Sequence, residues 1–257
     1  MTRVAVVTGA SSGIGEAIAR SLSAAGWQCV LLARRQERLE ALAAEIGAEF
    51  EVCDVSDREQ VERVADAVLA RHPRIALLVN NAGIPGRGSF LTADADRIEA
   101  VVRTNYLGGV WCLRSFLPGL EAAAPAAHVV NIVSVAGTVA LSSAGPYSAS
   151  KHAQLGFSRS TAALLAPRGI HVHTVNPGFV ETEGFPQRST MSSALMRRAV
   201  VGPERVAAAV LTAIENNRRE TTVPRWYRIA ALAQAVLPTL VSRAAARTGT
   251  RGRRTDL

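Results

Sequence analysis

Tyr147 and Lys151 stand four positions apart in Tyr147-Ser148-Ala149-Ser150-Lys151. On a helix this spacing puts a phenol and an ammonium on one face, a turn apart. A free phenol has a pKa of about 10 and exchanges protons poorly near neutrality. A cation held beside it favours the phenolate and draws that pKa toward working pH. Lys151 is the only lysine in the chain; the rest of the 29 Lys+Arg residues are arginine. A compact, tunable ammonium and a broad planar guanidinium do different jobs. The pair therefore reads as a general acid/base and its tuner, not as chance neighbours on a helix surface.

Residues suited to hold a second reactant come earlier. A short apolar run over 3–8 leads into Gly9-Ala10-Ser11-Ser12-Gly13-Ile14-Gly15, and helical periodicity follows over 16–25. At such a strand–turn–helix junction backbone N–H groups face an anion, and glycine is needed where backbone approaches a pyrophosphate closely. About 20 residues further on, an acid would bind a ribose 2′-hydroxyl and an arginine a 2′-phosphate. Arg34 and Arg35 stand there, and no acid. Cations fit poorly at the start of the helix expected over 36–46. An anionic ligand explains them better, which favours NADP(H) over NAD(H).

The remaining elements must position these groups. Apolar runs predict strands over 3–8, 28–33, 50–53, 75–79, 128–133, 170–175 and 221–223. Helical patterns lie between them, over 57–71, 94–120 (one helix or two), 146–165 and 203–216. This alternation predicts an α/β fold, a doubly wound parallel sheet with helices on both faces and right-handed crossovers. Asn80-Asn81-Ala82-Gly83 falls at the carboxyl end of the fourth strand, where ligands of open α/β sheets bind. Ser134 ends the fifth strand. One catalytic domain is expected over 1–224, with a substrate-selecting loop at 183–202 and a helical, basic extension at 225–257.

Composition limits the function classes. The net charge is +8, but from residue 225 onward seven arginines face Asp256 alone, so that stretch carries +6 and the body only +2. A nucleic-acid footprint across the fold is not expected. The three cysteines, Cys29, Cys53 and Cys112, are far apart and form no C-x-x-C, which predicts reduced thiols and a cytoplasmic setting. No signal peptide and no metal centre are expected. Apolar residues over 226–246 recur at helical spacing: Ile229, Leu232, Ala233, Val236, Leu237, Leu240 and Val241, interrupted by Pro238. Packing onto the chain's own fold or a sister subunit is favoured; weak membrane-surface association, with arginines behind the apolar face, is the alternative.

Taken together the stretches resemble the short-chain dehydrogenase/reductase family from about Val4 to Val223. The carriers are Thr8-Gly9-Ala10-Ser11-Ser12-Gly13-Ile14-Gly15, Asn80-Asn81-Ala82-Gly83, Asn105, Ser134, Tyr147 to Lys151, and Pro177-Gly178-Phe179-Val180-Glu181-Thr182. The resemblance implies a Rossmann-like sheet of seven strands, a nicotinamide cofactor and a homodimer or homotetramer. It makes Tyr147 the acid/base, with Lys151 holding the nicotinamide ribose. Ser134 hydrogen-bonds the substrate oxygen, and Asn105 supports a proton-relaying water. Gly9, Gly13, Ile14 and Gly15 cradle the pyrophosphate, Asp54 meets the adenine, and Asn81 and Gly83 line the cleft. Thr182 touches the cofactor near the nicotinamide. Ser11, Ser12, Val55, Ala82, Pro177, Gly178 and Val180 complete the expected cofactor-binding set. NADP-preferring members often carry a basic residue just before the second glycine, where this chain has Ser12. The expected reaction interconverts a carbonyl and a secondary alcohol on an apolar small molecule. A dinucleotide-binding sensor without turnover, and a membrane-surface enzyme for a lipidic substrate, are the competing readings.

Overall fold

The structure is a computed structural model that describes residues 3–86, 88–183 and 200–241. Seven strands form one sheet in the order β3-β2-β1-β4-β5-β6-β7. They are β1 (Val4–Thr8), β2 (Gln28–Ala33), β3 (Glu49–Val52), β4 (Leu77–Asn80), β5 (Ala127–Ile132), β6 (Ile170–Pro177) and β7 (Glu220–Val223). Every pairing is parallel. The expected α/β fold, a doubly wound parallel sheet, is borne out.

A parallel sheet covered on both faces needs strands apolar on both faces. β1 and β2 meet that demand by alternation. Ala5, Val7, Cys29 and Leu31 enter one core, together with α1 (Gly13–Ala24), α2 (Gln36–Ile46) and α7 (Pro203–Glu215). Val4, Val6, Val30 and Leu32 enter the other, with α3 (Arg58–Arg71) and α5 (Gly108–Ala123). The stretch expected as one or two helices over 94–120 is α4 (Ala95–Val102), a π-helical turn (Arg103–Leu107) and α5. The helix α6 (Gly145–Leu165) carries Tyr147 and Lys151. The strand order reverses between β1 and β4, which places the ligand crevice at their carboxyl ends.

A buried polar chain ties the middle of the sheet to α6. Asn80 Nδ2 donates to Asn131 Oδ1 at 3.0 Å, Asn131 Nδ2 donates to Ser158 Oγ at 2.9 Å, and Ser158 and Thr174 share a hydrogen bond of 2.7 Å. Breaking such a chain strands a buried polar group at a cost of about 1–3 kcal/mol, so it fixes how α6 lies across β4–β6.

The helix α8 (Tyr227–Val236) anchors through Tyr227. The Tyr227 ring occupies space that a side chain at Gly178 would need, its Cε2 lying 2.2 Å from where a Cβ would stand. Trp226, Ile229, Leu232, Val236, Leu237 and Leu240 are exposed. The apolar stripe therefore does not pack onto the chain's own described fold, which corrects one of the two favoured expectations. All three cysteines are buried free thiols. Among the described residues no helix is long and apolar enough to cross a membrane.

Three histidines stack between β5 and β6. The His128 ring lies 5.3 Å from His171 and 5.2 Å from His173, and His128 Nδ1 is 3.0 Å from His173 Nε2. Burial, then the neighbouring imidazoles, push the His128 pKa down to about 4, and burial pushes His173 down. The His128 ring is neutral in the fold at pH 6, whereas an unfolded histidine protonates near 6.5. The unfolded chain then binds more protons, so stability is full above about 6.5 and falls as pH drops toward 4. Urea midpoints should decline over pH 6.5 to 4.5, and His128→Gln should flatten the decline. Parallel pH profiles for the two proteins would contradict this account.

Candidate active site

The glycine turn is built by close approach. Gly9 and Gly13 adopt φ of +66° and +60°, a region that side chains disfavour. Gly15 has ordinary backbone angles but no room: a Cβ there would lie 2.3 Å from the Gly9 carbonyl oxygen and 2.5 Å from Asn81 Nδ2. Asn81 Nδ2 donates to the carbonyls of Thr8 at 2.9 Å and Gly9 at 3.3 Å. The Thr8 hydroxyl accepts from the N–H groups of Asn81 and Ala82 at 3.0 and 3.1 Å and donates to Val79 O at 3.1 Å. The ends of β1 and β4 are thus locked together. Ser12 caps α1 with extended backbone but no side-chain bond to the helix, so the first-turn N–H groups are left to an anion. Thr182 lies across the turn, its Cβ 3.0 Å from where a Gly13 Cβ would stand. Ile14 packs onto the core beneath.

The residues expected to act as acid and base lie at the end of β5 and the start of α6. Ser134 ends β5; its hydroxyl donates to Pro177 O at 3.4 Å, accepts from Ala136 N at 3.1 Å and also hydrogen-bonds Tyr147. Ser148 and Ser150 are scaffolding. Ser148 Oγ meets the carbonyls of Ala136 and Val139, and Ser150 Oγ donates to Tyr147 O and accepts from Asn105 Nδ2 at 3.1 Å. Asn105 sits in the π-helical turn, a distortion frequent at functional sites. Its amide also exchanges two bonds with Ile84, accepting at 2.8 Å and donating at 3.0 Å. Gly83 faces both centres: a Cβ there would lie 3.3 Å from Asn105 Oδ1 and 3.8 Å from Lys151 Nζ.

Lys151 is 3 % exposed. Its ammonium donates to Ile132 O at 3.0 Å and to Gln154 Oε1 at 2.7 Å, and lies 5.8 Å from the Tyr147 ring centroid. Burial lowers its pKa to about 7. Burial pushes the Tyr147 phenol up to about 12, opposed by the hydrogen bond to Ser134. This corrects the expectation that the neighbouring cation draws the phenol's pKa down. The ammonium is engaged elsewhere and is itself only partly charged at neutrality, so desolvation governs the phenol.

At the far end of the crevice Asp54 follows β3, its Oδ1 accepting from Ser56 N and Oγ at 2.9 and 2.8 Å. Val55 is buried beside Gly108. Arg34 Nη1 lies 3.7 Å from Asp54 Oδ2. Arg35 folds back over the glycine turn, donating to Ser11 Oγ at 3.1 Å and Ser12 Oγ at 2.5 Å. Pro177, Gly178 and Val180 line the end of β6, and Val180 bridges Val201. Of the loop expected at 183–202, residues 184–199 lie outside the described residues. Thr8, Gln154, Arg38 and Glu183 also shape the site; the types and spacing of Gln154 and Arg38 gave no sign of it, and Glu183 was expected only as the start of the substrate-selecting loop. Only Thr8 stood within a quoted motif.

The sequence model of the family described as short chain dehydrogenase matches residues 3–192. The chain belongs to the short-chain dehydrogenase family. It is similar to dehydrogenase/reductase SDR family member 7B of Xenopus laevis, 34% identical over 237 residues that cover 86% of this chain and 73% of that one. Among solved structures it is similar to a single-residue variant of actinorhodin polyketide ketoreductase with NADPH, at 31% identity and TM-score 0.78, covering 86% and 95% of the two chains. A short-chain dehydrogenase/reductase from Burkholderia phymatum in complex with NAD matches at 27% identity and TM-score 0.82, covering 93% and 95%. As a short-chain dehydrogenase this chain is an oxidoreductase served by a nicotinamide dinucleotide.

The glycine turn admits a sharp contrast. Gly15→Ala should destabilise by about 1–3 kcal/mol through overpacking and weaken dinucleotide binding. Gly156→Ala, on the exposed face of α6 with nothing within 4 Å of its Cβ, should stabilise by about 0.4–1 kcal/mol. Thermal melts and a cofactor titration would show both effects. Equal behaviour of the two variants would contradict the packing argument.

Proposed function

We propose that this short-chain dehydrogenase interconverts a carbonyl and a secondary alcohol, using NADP(H) in preference to NAD(H). The observation that carries the chemistry is the hydrogen-bonded Ser134–Tyr147 pair, one helical turn from a buried lysine that faces Gly83. The nicotinamide, when bound, supplies or accepts the hydride. Gly9, Gly13 and Gly15 leave room for its pyrophosphate, since a Cβ at any of them would crowd the turn. Lys151, with two of its three N–H bonds spent on Ile132 and Gln154, keeps one for the ribose.

Tyr147 and Ser134 aim two hydroxyls at the oxygen whose charge changes during hydride transfer. A phenol held well above neutrality is protonated and suited to donate, the role required in carbonyl reduction. Asn105, fixed by Ile84 and Ser150, supports proton exchange on the Lys151 side of the cleft.

The preference for a 2′-phosphate draws support from Arg35. Its guanidinium lies on the Ser12 hydroxyl, so a cation from the end of β2 reaches the place where Ser12 itself brings none. Arg34, beside Asp54, supplies a second cation at the adenosine end. Phe90, Leu91 and Leu141 are exposed on the segments 84–91 and 138–144, and backbone bonds of Gly88 to Ser143 and Gly145 join those segments. They favour an apolar carbonyl compound, in keeping with the ketoreductase similarity.

Tyr147→Phe should retain cofactor binding while turnover of an apolar ketone falls at least ~10²-fold, as read by NADPH absorbance. Near-normal turnover would refute the assignment. Arg35→Gln should cut the NADPH-to-NADH affinity ratio by about ten-fold, as expected for a lost charge-assisted bond. An unchanged ratio would remove the basis for preferring NADP(H).

A further inference from the structure

Arg38 and Glu183 belong to neither the glycine turn nor the acid/base cluster, yet they meet at the cofactor end of the crevice. Arg38 lies three residues after Arg35 in the first turns of α2, on the same side of the helix. Its guanidinium forks onto both oxygens of the Glu183 carboxylate, and the Nη2–Oε1 contact is 3.0 Å. Arg35 Nη1 lies 3.7 Å from Glu183 Oε2. The same Arg35 reaches Ser11 and Ser12. Glu183 is held there by the chain itself, because Thr182 before it rests on Gly13. Hydrogen bonding from Arg38 keeps the carboxyl below its ordinary pKa, so it is an anion at neutral pH.

Arginine binds carboxylate and phosphate with one planar fork. A 2′-phosphate drawn by Arg34 and Arg35 therefore meets a site whose guanidinium groups already serve an anion of the protein. A phosphate monoester brings about 1.5–2 negative charges at pH 7, and like charges on one pair of forks repel. One anion must give way. We propose that Glu183 is an intramolecular competitor of the cofactor's 2′-phosphate for Arg35 and Arg38, and that Arg38 is a further residue determining cofactor specificity. The inference rests on the reading of Arg34 and Arg35 as the adenosine 2′ site. A 2′-phosphorylated dinucleotide exchanges for the Glu183 carboxylate, whereas NAD(H) leaves the Glu183–Arg38 pair intact. Affinity for NADP(H) is thereby held below what three arginines would give alone.

The test uses 2′,5′-ADP and 5′-AMP as probes, titrated calorimetrically into the full chain and into Glu183→Gln, Arg38→Gln and the double variant. Both side chains are about half exposed, so folding is not at stake. Glu183→Gln should tighten 2′,5′-ADP by about two- to five-fold, the range an exposed ion pair supports, and leave 5′-AMP unchanged. Arg38→Gln should weaken 2′,5′-ADP and should abolish most of the gain from Glu183→Gln, because the two share one interaction. A Glu183→Gln protein with unaltered 2′,5′-ADP affinity, or with both probes tightened equally, would overturn the proposal. The unmodified chain tests the underlying reading separately. If it fails to prefer 2′,5′-ADP but Glu183→Gln acquires that preference, the NADP(H) reading falls and the competition stands. If it prefers 2′,5′-ADP and Glu183→Gln changes nothing, the reading stands and the competition falls.

Discussion

The carboxyl ends of β1 and β4 approach so closely that no side chain fits between them, and the rest of the site depends on that contact. The Thr8 hydroxyl and the Asn81 amide bond across it, while Gly9 and Gly15 give up their side chains to permit it. The strand order reverses at this junction, so the crevice opens there. α1 must begin where Gly15 touches Gly9, and its first-turn N–H groups must point into the gap. The residues that read as cofactor ligands are, in their protein contacts, chiefly makers of this junction. Binding and folding here draw on one constraint.

The groups proposed as acid and base are positioned by a second system that owes little to the glycine turn. Ser148 and Ser150 hold the start of α6 to neighbouring backbone and to Asn105, and the Asn80–Asn131–Ser158–Thr174 chain holds its middle. Between these anchors Lys151 is buried with a backbone carbonyl and a neutral amide as acceptors. A carboxylate in place of Gln154 would neutralise the ammonium; an apolar side chain would leave it underserved. The amide satisfies a proton without supplying a charge, which leaves burial to set the lysine's acidity. The phenol nearby answers to the same desolvation, with Ser134 as the opposing influence.

The fold was legible because its signals are local. Strands buried on both faces must be apolar throughout, as β1 and β2 are, and Gly9 and Gly13 mark backbone that other residues resist. Tyr147 and Lys151 could be paired because helical spacing is fixed. What escaped was tertiary. Arg35 belongs to Ser12 only because β2 lies beside β1, and Glu183 belongs to Arg38 across 145 positions of chain. Nothing in the type or spacing of Gln154 announces that its amide, not solvent, will face the lysine. The expected effect of Lys151 on the phenol failed for a related reason. Sequence spacing gives proximity, but the sign of a pKa shift depends on burial and on where the ammonium's bonds go, and both are set by the packed helix.

The composition of the chain gives the buried amine one more consequence. With arginine at every other basic position, a single side chain can undergo reductive methylation, and it stands at the heart of the crevice. An isotope-labelled methyl group installed there would give one side-chain resonance, free of overlap from the surface. The same arginine-for-lysine substitution across the surface also leaves amine-directed cross-linkers and dyes no side chain to attack on the exterior.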